Sequence, residues 1–209
     1  MGKFIEFIFQ KIYMAMLASG IFLVLTLCGG VLFGLAPAST VLMTLFAQYR
    51  YDYKAYKWQE AWSLFKENFF RSNQVFYTLL SIEAIFLYGL YLLVQLPQSI
   101  LTVIISILNL LLALLLPLAY AVYLKLQVYF ELSYVNSMKL SFIGMFLNIG
   151  AMFKIAFGTA MIMAIFYYMP ALVFFVFLGA WHFFISDLLE PVYQLIASRL
   201  VEKKKKNFG

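Results

Sequence analysis

A chain of 209 residues that is 65% hydrophobic and only 11% charged cannot hide its apolar side chains in a water-facing fold, because soluble domains carry about 25% charged and about 45–50% apolar residues. Lipid must cover much of the surface, and the length admits about six spans of roughly 20 residues with short turns and no separate soluble domain. The net charge of +6 then reads as a topology signal and an attraction to anionic headgroups rather than as nucleic-acid binding, and the single cysteine, Cys28, leaves no intrachain disulfide or cysteine-based zinc site.

The first apolar run, residues 12–33, exceeds the apolar region of a signal peptide, about 7–15 residues, and is read as a retained span. No Asp, Glu, Lys or Arg occurs between Lys11 and Arg50, between Glu83 and Lys125, or between Lys154 and Asp187. Each of these runs is too long for one helix, and each holds a proline-bearing interruption: Gly34-Leu35-Ala36-Pro37, Gln95-Leu96-Pro97-Gln98 and Tyr168-Met169-Pro170. Proline breaks or kinks a helix and drives the preceding residue out of α geometry. The expected fold is therefore all-α, a single polytopic transmembrane bundle over residues 1–209. Its three hairpins are 12–33 with 37–51, 73–94 with 98–120, and 149–168 with 171–195. The second helix rises only about 22 Å against a bilayer core of about 30 Å, so it is a short span or a half-buried helix.

The interruptions carry no charge, whereas basic residues collect before, between and after the hairpins: Lys3 and Lys11, then Arg50 to Arg71, then Lys125 and Lys139, then Arg199 and the lysines at 203–206. The positive-inside rule places all of these on the cytoplasmic side, with both termini there. The cytoplasmic segments are themselves patterned. Trp58, Ala61, Trp62, Phe65 and Phe69 recur at helical spacing opposite Glu60, Lys66, Glu67 and Arg71, which predicts an interfacial amphipathic helix. Ser133, Ser137, Ser141, Gly144 and Asn148 form a stripe of small and polar residues that lets another helix approach closely. Each segment has an Asn near its end (Asn68, Asn148) and a hairpin behind it, the pattern of an internal repeat.

Catalytic signatures such as a Walker motif, His-Glu-x-x-His, Gly-x-Ser-x-Gly or a dinucleotide fingerprint do not occur, and no cofactor or metal is implied. The chemistry-bearing candidates are intramembrane polar residues: Glu83, Asn109, Lys154 and His182. A carboxylate at the depth of Glu83 costs about 2.5–3.5 kcal/mol on insertion scales. It is read as a substrate, ion or proton contact, or as a packing group paired with Lys154 or hydrogen-bonded to Asn109, the second reading being preferred. Lys154 can snorkel to headgroups. His182, Ser186 and Glu190 share a helix face with Asp187 alongside, which lines a cavity or, as preferred, marks the exit of the last helix. Gly30-x-x-x-Gly34 matches the small-xxx-small packing motif. Gly30, Gly34, Pro37, Trp58, Trp62, Phe65, Asn68 and Phe69 are the packing and partner candidates.

The Gly-x-x-Pro-Ala element of Gly34-Leu35-Ala36-Pro37-Ala38-Ser39-Thr40, followed by the Phe-Lys-x-Asn-Phe element of Phe65-Lys66-Glu67-Asn68-Phe69, resembles the YesL-type family of bacterial integral membrane proteins, a domain of unknown function. The resemblance runs over the whole length, with the second half generic apolar helix. It implies a multi-pass protein of the bacterial plasma membrane, found beside carbohydrate ABC importers, with structural importance for Gly34, Pro37, Phe65, Asn68 and Phe69 and no catalytic residue. The expected function is a non-catalytic accessory protein whose partners are lipids and ABC-importer permease subunits. The alternative is a small transporter with a polar site around Glu83. A membrane-embedded enzyme using Asp187 and Glu190 ranks last.

Overall fold

The computed structural model describes residues 2–97 and 99–208, with the side chains of 2–5, 7, 173 and 200–208 excepted. The described residues form α1 (Gly2–Cys28), α2 (Leu35–Tyr49), a 3-10 turn (Tyr53–Ala55), α3 (Trp58–Gln95), α4 (Ile100–Leu126), α5 (Tyr134–Leu147), α6 (Ile149–Tyr168), α7 (Pro170–Leu172), a π turn (Val173–Phe177), α8 (Leu178–Leu188) and α9 (Glu190–Phe208). They contain no strand, in keeping with the long apolar runs of the sequence. Among them, five helical stretches are long and apolar enough to cross a membrane: Ile8–Cys28, Trp58–Gln95, Ile100–Leu126, Ile149–Tyr168 and Pro170–Leu188. Gln98, the expected start of the fourth membrane helix, and the side chains of Lys3 and of the lysines at 203–206 lie outside the described residues.

The short second helix is an interior element. Ala36 through Met43, with Leu45 and Phe46, are buried, enclosed by α1, α3, α4 and α8. Pro37 sits in its first turn, where the missing N–H removes no helical bond. The connection from α1 is made by residues that only a crowded turn explains. Gly30 and Val31 have φ of 72° and 61°, and Val31 N donates to Thr26 O at 2.9 Å. A Cβ on Gly29 would run into Gly34 Cα, and one on Gly34 into the Thr26 backbone. The close-packing pair is therefore Gly29 and Gly34. Gly30 faces open space and is a turn residue, which corrects the Gly30-x-x-x-Gly34 reading.

The 58–71 segment is the first half of a single 38-residue helix, α3, not a separate interfacial helix. No glycine or proline interrupts it before Gly89, and at the expected break Asn73 Nδ2 donates to Phe69 O one turn back and across to Phe33 O, both at 2.9 Å. The apolar face of this segment is occupied from within. Ala61 and Phe65 are buried in the core formed with α1, α2 and α8. The second basic segment behaves differently. Asn148 ends α5 and caps α6, its Oδ1 accepting from Ala151 N at 3.0 Å, whereas Asn68 lies mid-helix and donates to Leu64 O. The two segments are thus built differently, against the internal-repeat reading. The small-residue stripe does admit a helix, with Ser137, Ser141 and Gly144 buried. A Cβ on Gly144 would lie 2.7 Å from Val122 of α4.

The last membrane stretch, expected to run through 195, ends at Leu188 and restarts as α9 with Pro191 in its first turn. A π turn interrupts it at Val173–Phe177. Gly179 N, just after the turn, donates to Ser19 Oγ of α1 at 2.8 Å.

Burial is concentrated at one end of the bundle. Among the described residues none between 80 and 112, and none between 156 and 178, is buried. The halves of the two hairpins that lie away from the basic residues pack on themselves and present apolar side chains outward.

Gly34→Ala should destabilise the protein by about 1–3 kcal/mol, the cost of overpacking a filled site. Gly20→Ala, where a Cβ meets nothing within 4 Å, should stay within about 1 kcal/mol of the parent. Thermal unfolding in mild detergent reads both.

Candidate functional site

At the basic end, α2, α4, α8 and α9 converge on a network of opposite charges. Lys125, the penultimate residue of α4, is only 2% exposed. Its ammonium donates to Ser186 Oγ at 3.0 Å and to Glu190 Oε2 at 2.7 Å and lies 5.3 Å from the centroid of the Tyr129 ring. Arg50, which ends α2 with φ 50°, pairs with Asp187 at 2.6 Å and approaches Glu190 at 3.8 Å. The Tyr129 ring, next to the Lys125 ammonium, stacks on Tyr193 with centroids 3.9 Å apart. Burial pushes the Glu190 carboxyl up, but the Lys125 hydrogen bond and charge, with help from Gln194 and Arg50, outweigh it and hold the group below the usual carboxylate range. The face shared by Ser186 and Glu190 was legible in the sequence. Its cationic partners were not, because Arg50 and Lys125 read as topology charges. The usable signal was a pair of carboxylates at the end of an apolar helix, which must find cations.

The second locus is a groove of about 150 Å³ between α3 and α4, lined by Phe76, Leu79, Leu80, Glu83, Leu116, Pro117 and Tyr120. Glu83 Oε2 is buried there without a hydrogen-bond partner. Twelve residues separate Glu83 from Arg71 and twelve from Gln95, roughly 18 Å each way along the helix, which is mid-depth in the apolar part of α3.

The polar candidates do not assemble into one site. No hydrogen bond or ion pair joins any two of Glu83, Asn109, Lys154 and His182, so neither packing partner expected for Glu83 is found. Asn109 lies against Gly89, where a Cβ would come within 2.8 Å of Asn109 Nδ2. Lys154 is exposed. His182 is buried with its Nδ1 2.7 Å from Leu178 O and its ring against Phe22 and Trp181, while Nε2 has no partner. The packing candidates, Gly30 and Asn68 excepted, do assemble. Trp58, Trp62 and Phe65 stack in a ladder at 6.3 and 5.5 Å, and Phe69 meets Phe65 edge-on. Phe65 reaches the glycine turn, 3.1 Å from where a Gly29 Cβ would stand, and Pro37 is buried beside it in α2. No group of three or more His, Cys, Asp or Glu side chains among the described residues is placed to hold a metal ion.

An all-helical bundle with this many helices able to cross a bilayer defines a polytopic helical membrane protein. A family described as "Protein of unknown function, DUF624" matches residues 15–90, the stretch from α1 through most of α3 that contains the glycine turn, α2 and the aromatic ladder. No curated protein and no solved structure matches the chain.

Glu190→Gln removes the main partner of a buried ammonium, which costs about 3 kcal/mol. Because the folded-state value of Glu190 is depressed, its contribution is fully present above the ordinary value of 4.5 and is lost as pH falls below that value through the folded one. Unfolding of parent and Glu190→Gln in detergent should therefore differ most at neutral pH and converge in acid.

Proposed function

We propose that this chain is a non-catalytic accessory protein of the YesL type, seated in the bacterial plasma membrane with its basic end and both termini in the cytoplasm. It would associate with the permease subunits of a carbohydrate ABC importer. The observation that carries the accessory reading is the distribution of burial. The hairpin halves spanning 80–112 and 156–178 bury no described residue within the chain, so large apolar helix faces are left for lipid or for another membrane protein. The ion-paired basic end holds α2, α4, α8 and α9 in a fixed arrangement, as suits a scaffold. The carbohydrate-importer partner rests on the family resemblance carried by Gly34, Pro37, Phe65, Asn68 and Phe69. Affinity purification of the tagged chain from native membranes in mild detergent should recover an ABC permease in stoichiometric amount. Recovery of the chain alone would remove the reading.

A second reading, transport by the chain itself, is favoured by the unpartnered carboxyl of Glu83, since intramembrane carboxylates commonly mark substrate or ion pathways. Under it, Glu83→Gln abolishes uptake while the protein still reaches the membrane. Under the accessory reading, uptake through the importer survives the substitution.

A further inference from the structure

Among the described residues, Glu83 is the one Asp or Glu with a buried carboxyl oxygen that lacks a hydrogen-bond partner. Asp187 and Glu190 have found Arg50 and Lys125. The surroundings of Glu83 offer no such partner, since no basic side chain lines the groove. The opposite wall offers one neutral donor, the Tyr120 hydroxyl, itself buried without a partner, and no cation. Pro117 supplies no N–H to the carbonyl of Ala113 one turn earlier in α4. Phe76 and Tyr120 contribute aromatic rings with centroids 5.2 Å apart and planes tilted by 59°, and ring faces carry negative potential. The groove is therefore rich in acceptors and negative potential, and it lacks positive charge.

The shape and position narrow the occupant. The groove opens beside Leu80, 45% exposed, and exposed Pro117, on the outward apolar face of the hairpin. Its volume of about 150 Å³ is that of a cavity which accepts benzene. A calcium or magnesium ion takes six or more oxygen ligands and a zinc ion four ligands, and one carboxylate among leucines cannot supply them. An organic cation brings its own apolar body, satisfies the carboxylate and lies against the rings.

We propose that the Glu83 groove binds a small organic ammonium with an apolar body of about the size of one aromatic ring, admitted from the bilayer side. The assignment goes beyond the accessory reading and holds whether the chain serves an importer or transports by itself.

The test uses the purified full chain in mild detergent and the apolar reagent dicyclohexylcarbodiimide. A carboxyl oxygen adds to the central carbon of the carbodiimide as the carboxyl proton passes to one nitrogen. Migration of the acyl group to a carbodiimide nitrogen leaves a stable N-acylurea, read by peptide mass spectrometry. The expected adduct is at Glu83 and is lost in Glu83→Gln. Benzylammonium at about ten times its half-protecting concentration should slow labelling about tenfold by occupancy, and benzyl alcohol, of the same size without the charge, should not. Phe76→Leu should keep the adduct and weaken the protection. Labelling that benzylammonium does not slow, equal protection by benzyl alcohol, or no adduct at Glu83 in the folded protein would each overturn the proposal. None of these outcomes bears on permease association, which the affinity purification tests separately.

Discussion

The burial of α2 is the constraint on which the rest of the structure depends. A 15-residue helix is about 22 Å long, too short to cross a bilayer by itself, and lipid cannot satisfy the backbone groups at its ends. The chain solves this by surrounding it. Asn73 supplies a donor to Phe33 O at the entry, the Gly29–Gly34 contact brings α1 and α2 together, and Arg50 closes the exit. Inside, Thr40 gathers three elements. Its hydroxyl bonds back to Ala36 O, meets Ser72 Oγ of α3 at 2.8 Å and accepts from Gln127 Nε2 at 2.7 Å. Hydroxyls that turn back on their own helix keep buried polar atoms satisfied, so α2 can carry Ser39, Thr40 and Thr44 in an apolar interior.

Because the partners of α2 meet it at the basic end, the core lies there, and the charge network lies beside the core. Ion pairs of this kind contribute little net stability compared with an apolar replacement, since two desolvation costs offset the attraction, but removing one member leaves the other stranded. Their effect is on geometry. Lys125 must lie near Ser186 and Glu190, and Arg50 must lie near Asp187, which fixes the ends of α2 and α4 against the junction of α8 and α9. The opposite ends of the hairpins have no such ties and are apolar on nearly every side.

The two kinds of carboxylate show how position decides role. Asp187 and Glu190 sit where a helix leaves the apolar zone, within reach of cations that the chain gathers there for other reasons. Glu83 sits in mid-helix, where the nearest turns of both α3 and α4 are apolar or aromatic, so one of its carboxyl oxygens is left without a hydrogen-bond partner.

The sequence by itself determined the helical membrane class, the alternation of apolar runs with basic segments and the approximate helix ends. Composition and proline placement act locally and leave few alternatives. It also marked Gly34, Pro37, Phe65 and the Ser137–Ser141–Gly144 stripe as packing residues, because small side chains and aromatic spacing limit what can approach. Tertiary structure decided the rest. Periodicity shows that 58–71 has an apolar face but not whether lipid or α2 covers it, and the absence of a breaker let the segment join the following span as α3. Gly30 and Gly29 are equally small, and only the path of the turn shows which one is crowded. Charge counts place Arg50 and Lys125 at one end of the bundle, yet their pairing with Asp187 and Glu190 depends on contacts across 137 and 65 residues of chain. Such separations are set by how helices pack, which no local pattern encodes.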